Sequence, residues 1–159
     1  MIKKLTLLLL VIISVVGLSA CQKEERVSEE DIKAFVKDYK TIIYTIDSQN
    51  PTDNSKLLED VKPYVNEEVY EKTKKNGVFT FPSHFATENQ TDVKLNDVKI
   101  DTIKEKDNNF EIKYTLFVTI GDYNVEKTGE MTILNKENDK LIVTYDWENP
   151  VTVENKKFK

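Results

Sequence analysis

The second half of the chain alternates apolar and polar residues with a period of two. From residue 110 to residue 120 every second residue is apolar, and the intervening residues are charged or threonine except Phe117. This pattern predicts a long strand with one buried face. Gly121 and Asp122 follow and suit a two-residue hairpin turn that leads into a second strand.

The turn sets a register that both faces of the hairpin satisfy. It pairs apolar residues on one face and opposite charges on the other: Phe110 with Ile133, Ile112 with Met131, Val118 with Val125, and Lys113 with Glu130. Tyr114 falls opposite Gly129, where its ring can cover a bare backbone. Leu116 falls opposite Lys127, whose stem is expected to pack while its amine reaches water.

Two more strands flank this hairpin in the predicted sheet. Upstream, Val93 and Leu95 are out of phase with Val98 and Ile100, and a bulge at residues 96–97 would restore the phase and bend the sheet. With this bulge, the two short apolar patterns belong to one continuous strand.

The last predicted strand carries Leu141, Val143, Tyr145 and Trp147 at alternate positions. Strict alternation directs these four side chains inward and Asp146 outward. Trp147 is near the end of the strand, so it is expected at the mouth of the interior, partly shielded from solvent.

The first half of the chain shows the helical period. Ser28, with Asp31 three residues later, predicts a capping-box start. The apolar residues that follow recur on one helical face: Ile32, Phe35, Val36, Tyr39, Ile43 and Ile46. A second helix breaks at Pro63, and a third begins at Asn66 and ends at Gly77.

The predicted fold class is α+β, with N-terminal helices packed in a curved antiparallel sheet of four main strands. Residues 78–81 can add a short fifth strand. In the order and size of their elements, residues 28–148 resemble the nuclear transport factor 2-like, or cystatin-like, fold. The resemblance implies a cone-shaped cavity between the sheet and the long first helix. Residues 149–159 remain as a C-terminal tail.

The chain begins with the features of an export signal. Lys3 and Lys4 precede an almost wholly aliphatic run over residues 5–16, and small residues follow it. A basic start, a short apolar core and small residues before a cleavage site are typical of a secretory signal peptide. The run is too short for a comfortable transmembrane helix, which needs about 20 residues.

Leu18-Ser19-Ala20-Cys21 resembles the lipobox of bacterial lipoproteins. The resemblance implies diacylglyceryl transfer to the Cys21 sulfur and cleavage between Ala20 and Cys21, which makes residues 1–20 the signal peptide. An ordinary signal peptide with a chance cysteine is the alternative. Residues 21–27 would then be the lipidated cysteine and a tether of about 20 Å when extended, which keeps the domain near the membrane.

Charge and cysteine content narrow the possible functions. The chain has 159 residues and a formal net charge of −5, and loss of residues 1–20 would remove two lysines and no acid. An acidic surface without a basic stripe disfavours nucleic acid as a partner. Cys21 is the only cysteine, so no disulfide can form within the chain, and the exported domain must be stable through its core.

No residue pattern predicts a catalytic residue, a metal site or a cofactor. His84 is the only histidine; it is either a general base in an aromatic pocket or, as we favour, a polar residue between the helices and the sheet. One histidine and an acylated cysteine are too few ligands for zinc. Residues 47–55 loosely resemble a calcium loop, but Pro51 and the missing glycine favour a helix-capping loop.

The aromatic residues provide a candidate pocket. Tyr39, Tyr114, Tyr145 and Trp147 are candidates to line the cone; the interpretation we favour is that they fill the core with their hydroxyl groups at its rim. Some enzymes of the resembled fold, such as ketosteroid isomerases and dehydratases, use Asp, Tyr or His groups in the cone. No inward acid is predicted here, which disfavours an enzyme.

These observations predict a membrane-anchored, extracytoplasmic lipoprotein that binds a protein partner or a small ligand in the cell envelope. Two alternatives stay open: an isomerase- or dehydratase-like enzyme of the same fold, and an accessory subunit of an envelope transport or conjugation assembly. An inward acid near His84 would favour the enzyme, and an exposed apolar patch would favour the assembly. The polar outer face of the sheet, with Phe117 as its main apolar exception, predicts a monomer.

Overall fold

The computed structural model describes residues 27–136, 140–153 and 155–158. The predicted signal peptide, Cys21 and most of the tether lie outside the described residues. The helices are α1 (Glu29–Tyr44), α2 (Asn54–Val61), α3 (Glu67–Lys75) and α4 (Phe81–Asn89). The strands are β1 (Thr45–Ile46), β2 (Val93–Lys106), β3 (Asn109–Ile120), β4 (Tyr123–Lys136), β5 (Lys140–Glu148), β6 (Val151–Val153) and β7 (Lys156–Phe158).

The first and third helices begin at the caps that the sequence predicts. Ser28 Oγ accepts the Asp31 N–H at 3.1 Å, and the Asp31 carboxylate accepts the Ser28 N–H at 2.9 Å, which completes the capping box. Asn66 caps α3 by accepting the Val69 N–H at 2.8 Å. Pro63 lies in a short helical turn directly after α2, as expected for a residue that cannot donate a backbone hydrogen bond.

The sheet confirms the predicted α+β fold class and the predicted hairpin register. Strands β1 to β5 form one curved antiparallel sheet in that order, with the helices packed against it. The β3–β4 register agrees with the prediction at every predicted pair. The β2–β3 register shifts between Leu95 and Asp97, where a bulge was predicted, and shifts again between Ile100 and Thr102.

The fifth strand comes from a different part of the chain than predicted. Residues 78–80 form a turn and Phe81 begins α4, so residues 78–81 are not a strand. Pro82 lies in the first turn of α4. Backbone N–H groups in the first turn have no partner within the helix, so a proline there costs no hydrogen bond. The extra strand is β1, which directly follows α1 and pairs Ile46 with Val93.

A bulge in β5 reverses the faces predicted for its second half. The β4–β5 register shifts so that Thr144 is an extra residue on β5. Before the bulge, Val143 is fully buried. After it, Asp146 points inward, whereas Tyr145 and Trp147 point to the outer face. The predicted orientation of these three residues is therefore wrong, because strict alternation does not continue across a bulge.

Residues 149–159, predicted as a C-terminal tail, contain a hairpin that packs on the core. β6 pairs with β7, and Val153 and Phe158 are buried. The Phe158 ring meets the Phe85 ring of α4 edge to face, with centroids 5.0 Å apart. The packed domain therefore extends past residue 148.

Gly129 allows the Tyr114 ring to lie directly on the backbone of β4, as the register predicts. A Cβ atom at Gly129 would lie 2.4 Å from Tyr114 Cζ and 2.8 Å from the Trp147 carbonyl oxygen. The Tyr114 ring is fully buried. No side chain fits at this position without displacing the ring or the neighbouring strand.

We expect Gly129→Ala to lower the free energy of unfolding by about 1–3 kcal/mol, because the added methyl group overpacks the inner face of the sheet. Urea unfolding followed by circular dichroism measures this change. Glu126→Ala, an exposed substitution on the same strand, is the control and should cost less than about 0.5 kcal/mol. An equal cost for the two variants would contradict the close contact.

Candidate functional site

The second half of β5 places two carboxylates inside the cone, opposite a lysine of α1. Lys40 Nζ donates to Asp146 Oδ2 at 2.6 Å and to Glu148 Oε1 at 2.6 Å. The Lys40 side chain is 1% exposed, and the Asp146 and Glu148 side chains are 12% and 11% exposed. Charges this deeply buried are tolerated only when they are paired, so Lys40 ties α1 to β5.

Three tyrosine hydroxyl groups donate to the same two carboxylates. Tyr39 donates to Asp146 Oδ2 at 3.0 Å, and Tyr114 donates to Asp146 Oδ1 at 2.8 Å. Tyr114 also lies 3.2 Å from Glu148 Oε1, and Tyr44 donates to Glu148 Oε2. With Lys40 included, every oxygen of both carboxylates accepts at least one hydrogen bond.

A second lysine, Lys127 of β4, reaches the carboxylates from the sheet itself. Its side chain is 0% exposed and its Nζ lies 3.4 Å from Glu148 Oε2. Its Nζ also donates to the Asn149 carbonyl oxygen at 2.9 Å. The prediction that this amine reaches water is therefore wrong. We call the following residues the ion cluster: Lys40, Lys127, Asp146, Glu148, Tyr39, Tyr44 and Tyr114.

The charges of the ion cluster shift one another's pKa values. Burial by itself would raise the pKa of Glu148, but the Lys40 and Lys127 ammonium groups outweigh it and lower the pKa to about 2. Burial opposes the charge of Lys40 in the same way, and the two carboxylates outweigh it and raise its pKa. Burial lowers the pKa of Lys127. Burial and the carboxylates raise the pKa values of all three tyrosines well above their usual range.

This arrangement stabilises charge and is poorly suited to proton transfer. A general base works best with a pKa near the working pH, whereas Glu148 takes up a proton only in strong acid. The two lysines balance the two acids, and the tyrosine hydroxyl groups all donate to carboxylates. The ion cluster is therefore a neutral, hydrogen-bonded layer under the surface.

An open cleft of about 460 Å³ lies beside the ion cluster, between β5, the ends of α1 and α3, and the turn before α4. Phe79 and Phe81 contribute to its apolar wall, and Lys72 contributes a cation. Three apolar or aromatic side chains at its edge are 53%, 48% and 48% exposed, and we call them the cleft rim: Val78, Tyr145 and Trp147. A cleft of this size and lining suits a small ligand or a segment of a partner protein.

The four aromatic candidates for a pocket occupy three different environments. Tyr39 forms part of the cleft wall and also donates to Asp146. Tyr114 is buried below the cleft as a member of the ion cluster. Tyr145 and Trp147 belong to the cleft rim, and their side chains lie on the outer face of the sheet.

His84 and the loop at residues 47–55 do not line the cleft. His84 is exposed on α4, and its Nε2 lies 3.0 Å from Asn54 Nδ2. Asp53 caps α2 by accepting the Ser55 N–H at 2.8 Å, in line with the capping interpretation. In the part of the chain that the structure describes, no group of His, Cys, Asp and Glu side chains is arranged to hold a metal ion.

Sequence reasoning missed the acidic half of the ion cluster, although a signal for it was present. Lys40 is four residues after Val36 and four before Tyr44, so it lies on the buried face of α1. Lys127 lies on the inner face by the hairpin register. Two inward lysines require inward anions, because unpaired buried charges are costly. That requirement points to acids on β5. The inward and outward faces of β5 had been assigned by alternation alone, with no predicted cross-strand pairs to check them.

Comparison with known proteins finds similarity in fold alone. No family model matches the chain, and no curated protein is significantly similar to it in sequence. An IcmL-like type IV secretion system protein from Legionella pneumophila superposes with a TM-score of 0.57 at 10% identity, over 79% of this chain and 95% of that chain. The Ntf2-like potential transfer protein TraM from the Gram-positive conjugative plasmid pIP501 has a TM-score of 0.53 at 12% identity, over 80% and 100%.

The VirB8 protein of Agrobacterium tumefaciens is also similar, with a TM-score of 0.50 at 14% identity over 82% of this chain and 99% of that chain. These likenesses confirm the nuclear transport factor 2-like fold that the order of elements resembled. Each of these three neighbours is matched over nearly its whole length.

We expect Lys40→Met to lower the free energy of unfolding by about 3–5 kcal/mol, because it leaves buried carboxylates without their closest cation. Denaturant unfolding measures the loss. Lys113→Met is the matched control, since the Lys113–Glu130 pair has side chains that are 63% and 51% exposed, and exposed pairs contribute less than about 1 kcal/mol. Similar losses in both variants would show that Lys40 is not essential to a buried network.

Acid should destabilise the fold between pH 4.5 and about 2, because the pKa of Glu148 falls from 4.5 to about 2 in the folded chain. Across this range the unfolded chain binds the proton first, so stability rises with pH and the contribution is complete above the higher value. Its size is on the order of 3 kcal/mol. Unfolding curves at a series of pH values test this, and Glu148→Gln should flatten the dependence. An unchanged slope in that variant would assign the acid sensitivity to other groups.

Proposed function

We propose that the protein is an accessory subunit of an envelope assembly of the type IV secretion or conjugation kind, and that it holds a protein partner. The main support is the shared fold. The chain superposes on an IcmL-like type IV secretion system protein and on TraM, a potential transfer protein of a conjugative plasmid. Fold likeness at low identity is an analogy for function, so the surface has to supply independent support.

The surface supports partner binding better than an isomerase- or dehydratase-like reaction. The cleft rim is the exposed apolar patch expected of an assembly subunit. Inward acids do exist, but they are paired with Lys40 and do not lie beside His84, which contacts Asn54. Because their oxygens already accept hydrogen bonds, we propose a non-catalytic role.

We further propose that Cys21 carries a lipid anchor and that the domain faces the outside of the cytoplasm. The support is the lipobox-like sequence at residues 18–21, which follows a basic and aliphatic start.

We also propose that the domain is a monomer outside its assembly, because most of the outer sheet face is polar. Among the described residues, no helix has the length and apolar character needed to cross a membrane.

The proposal predicts a transfer or secretion defect when the gene is deleted in its own host. Wild-type protein supplied in trans should restore plasmid transfer or protein secretion. The double variant Tyr145→Ala, Trp147→Ala should restore it about tenfold less well, because buried aromatic contacts dominate protein interfaces. Cys21→Ser should also fail, since the domain would lose its anchor.

The matched control is Tyr123→Ala, which removes a tyrosine of similar exposure, 46%, outside the cleft. It should restore function as well as the wild-type protein does. A deletion strain with unchanged plasmid transfer and protein secretion would overturn the proposed function.

A further inference from the structure

One edge of β5 presents main-chain groups that are available for pairing. β5 is the last strand in the sheet order, so its ladder partner in the described sheet is β4 alone. The Asn149 N–H donates to the Thr128 carbonyl oxygen at 2.9 Å, which marks a hydrogen-bonded pair of the antiparallel ladder. Such pairs alternate along a ladder, so the N–H and C=O groups of Asp146 and Glu148 point away from β4.

The same edge already accepts an extended segment at an earlier position. Val65 forms a parallel bridge with Val143, and the Asn66 N–H donates to the Val143 carbonyl oxygen at 3.0 Å. Beyond the bulge at Thr144, no described segment continues this pairing, and the cleft opens beside the edge. The cleft therefore lies where one more strand would fit.

The chemistry of the cleft defines what such a strand would carry. Its walls are apolar at Ile43, Phe79 and Phe81. The carboxylates of the ion cluster are neutralised by their own lysines, whereas the Lys72 ammonium group makes no ion pair within the described residues. Lys72 is therefore the charged residue of this lining that has no ion-pair partner among the described residues, and its positive charge favours an acidic side chain on the occupant.

We propose that an extended segment of a partner protein pairs with the free edge of β5 at Asp146 and Glu148. Its alternate side chains enter the cleft against the apolar wall, with an acidic residue beside Lys72, and the others face Tyr145 and Trp147 on the outer surface. Main-chain hydrogen bonds supply affinity, and the cleft supplies selectivity. This inference names the contact through which the proposed subunit holds its partner, so it rests on the proposed function.

Hydrogen–deuterium exchange with residue-level fragmentation tests this pairing on the protein purified from host membranes. The probe is a short synthetic peptide that alternates valine and threonine and ends in aspartates. At saturation, exchange of the Asp146 and Glu148 amides should slow by about tenfold or more, because they become hydrogen-bonded. The Tyr145 and Trp147 amides, which already face β4, should change little.

Three controls separate strand pairing from general adhesion, with affinity read from the fluorescence of the single tryptophan. The same peptide with alternate amides N-methylated should bind about tenfold more weakly, because two hydrogen bonds are lost. Lys72→Glu should weaken the aspartate peptide about fivefold and favour a matched peptide that ends in lysines. Lys94→Glu, at an exposed position on β2 outside the cleft, should leave both affinities unchanged.

Unchanged exchange at Asp146 and Glu148 with every peptide of the set would overturn the proposal. Protection that grows with protein concentration and needs no peptide would instead identify a second copy of this chain as the occupant. A Trp147 emission shift with anionic vesicles and none with peptides would identify a lipid surface. A host deletion without a defect would overturn the proposed function, while the exchange result would still decide the pairing.

Discussion

The fold depends on the burial of four charged side chains between α1 and the sheet. Removing an ion from water costs several kcal/mol, and only close pairing with added hydrogen bonds offsets that cost. Helix α1 provides Lys40, β4 provides Lys127, and β5 provides Asp146 and Glu148. Because none of these groups can be left alone in the interior, the helix, the central hairpin and the edge strand are held in one relative position.

Two backbone features make this pairing possible, and they also create the candidate binding surface. The extra residue at Thr144 turns the two acids inward and Tyr145 and Trp147 outward. Gly129 leaves room for the Tyr114 ring whose hydroxyl group donates to the acids. With its charges paired inside, the second half of β5 presents a free edge and two exposed aromatic side chains, Tyr145 and Trp147.

Local patterns were sufficient for the first three helices and for the central hairpin, whereas α4 was not predicted. Ser28 and Asn66 mark helix starts because a cap depends on residues within one turn of it. The alternation along β3 and the turn at Gly121 predict the β3–β4 register pair by pair, because a short turn leaves the two strands only one alignment. The resemblance to the nuclear transport factor 2-like fold followed from the order of these elements.

The partners of the buried charges were decided by tertiary structure. A bulge such as that at Thr144 appears only when β5 is aligned with β4, so alternation alone assigned Asp146 to the wrong face. The strands β6 and β7 are too short to show a period, and Phe158 is buried because α4 lies against it. The buried positions of Lys40 and Lys127 require inward acids, although alternation along β5 predicted none. The identity of those acids depends on contacts between residues far apart in the chain, such as Lys40 and Asp146, which are 106 residues apart. No local pattern encodes such a contact.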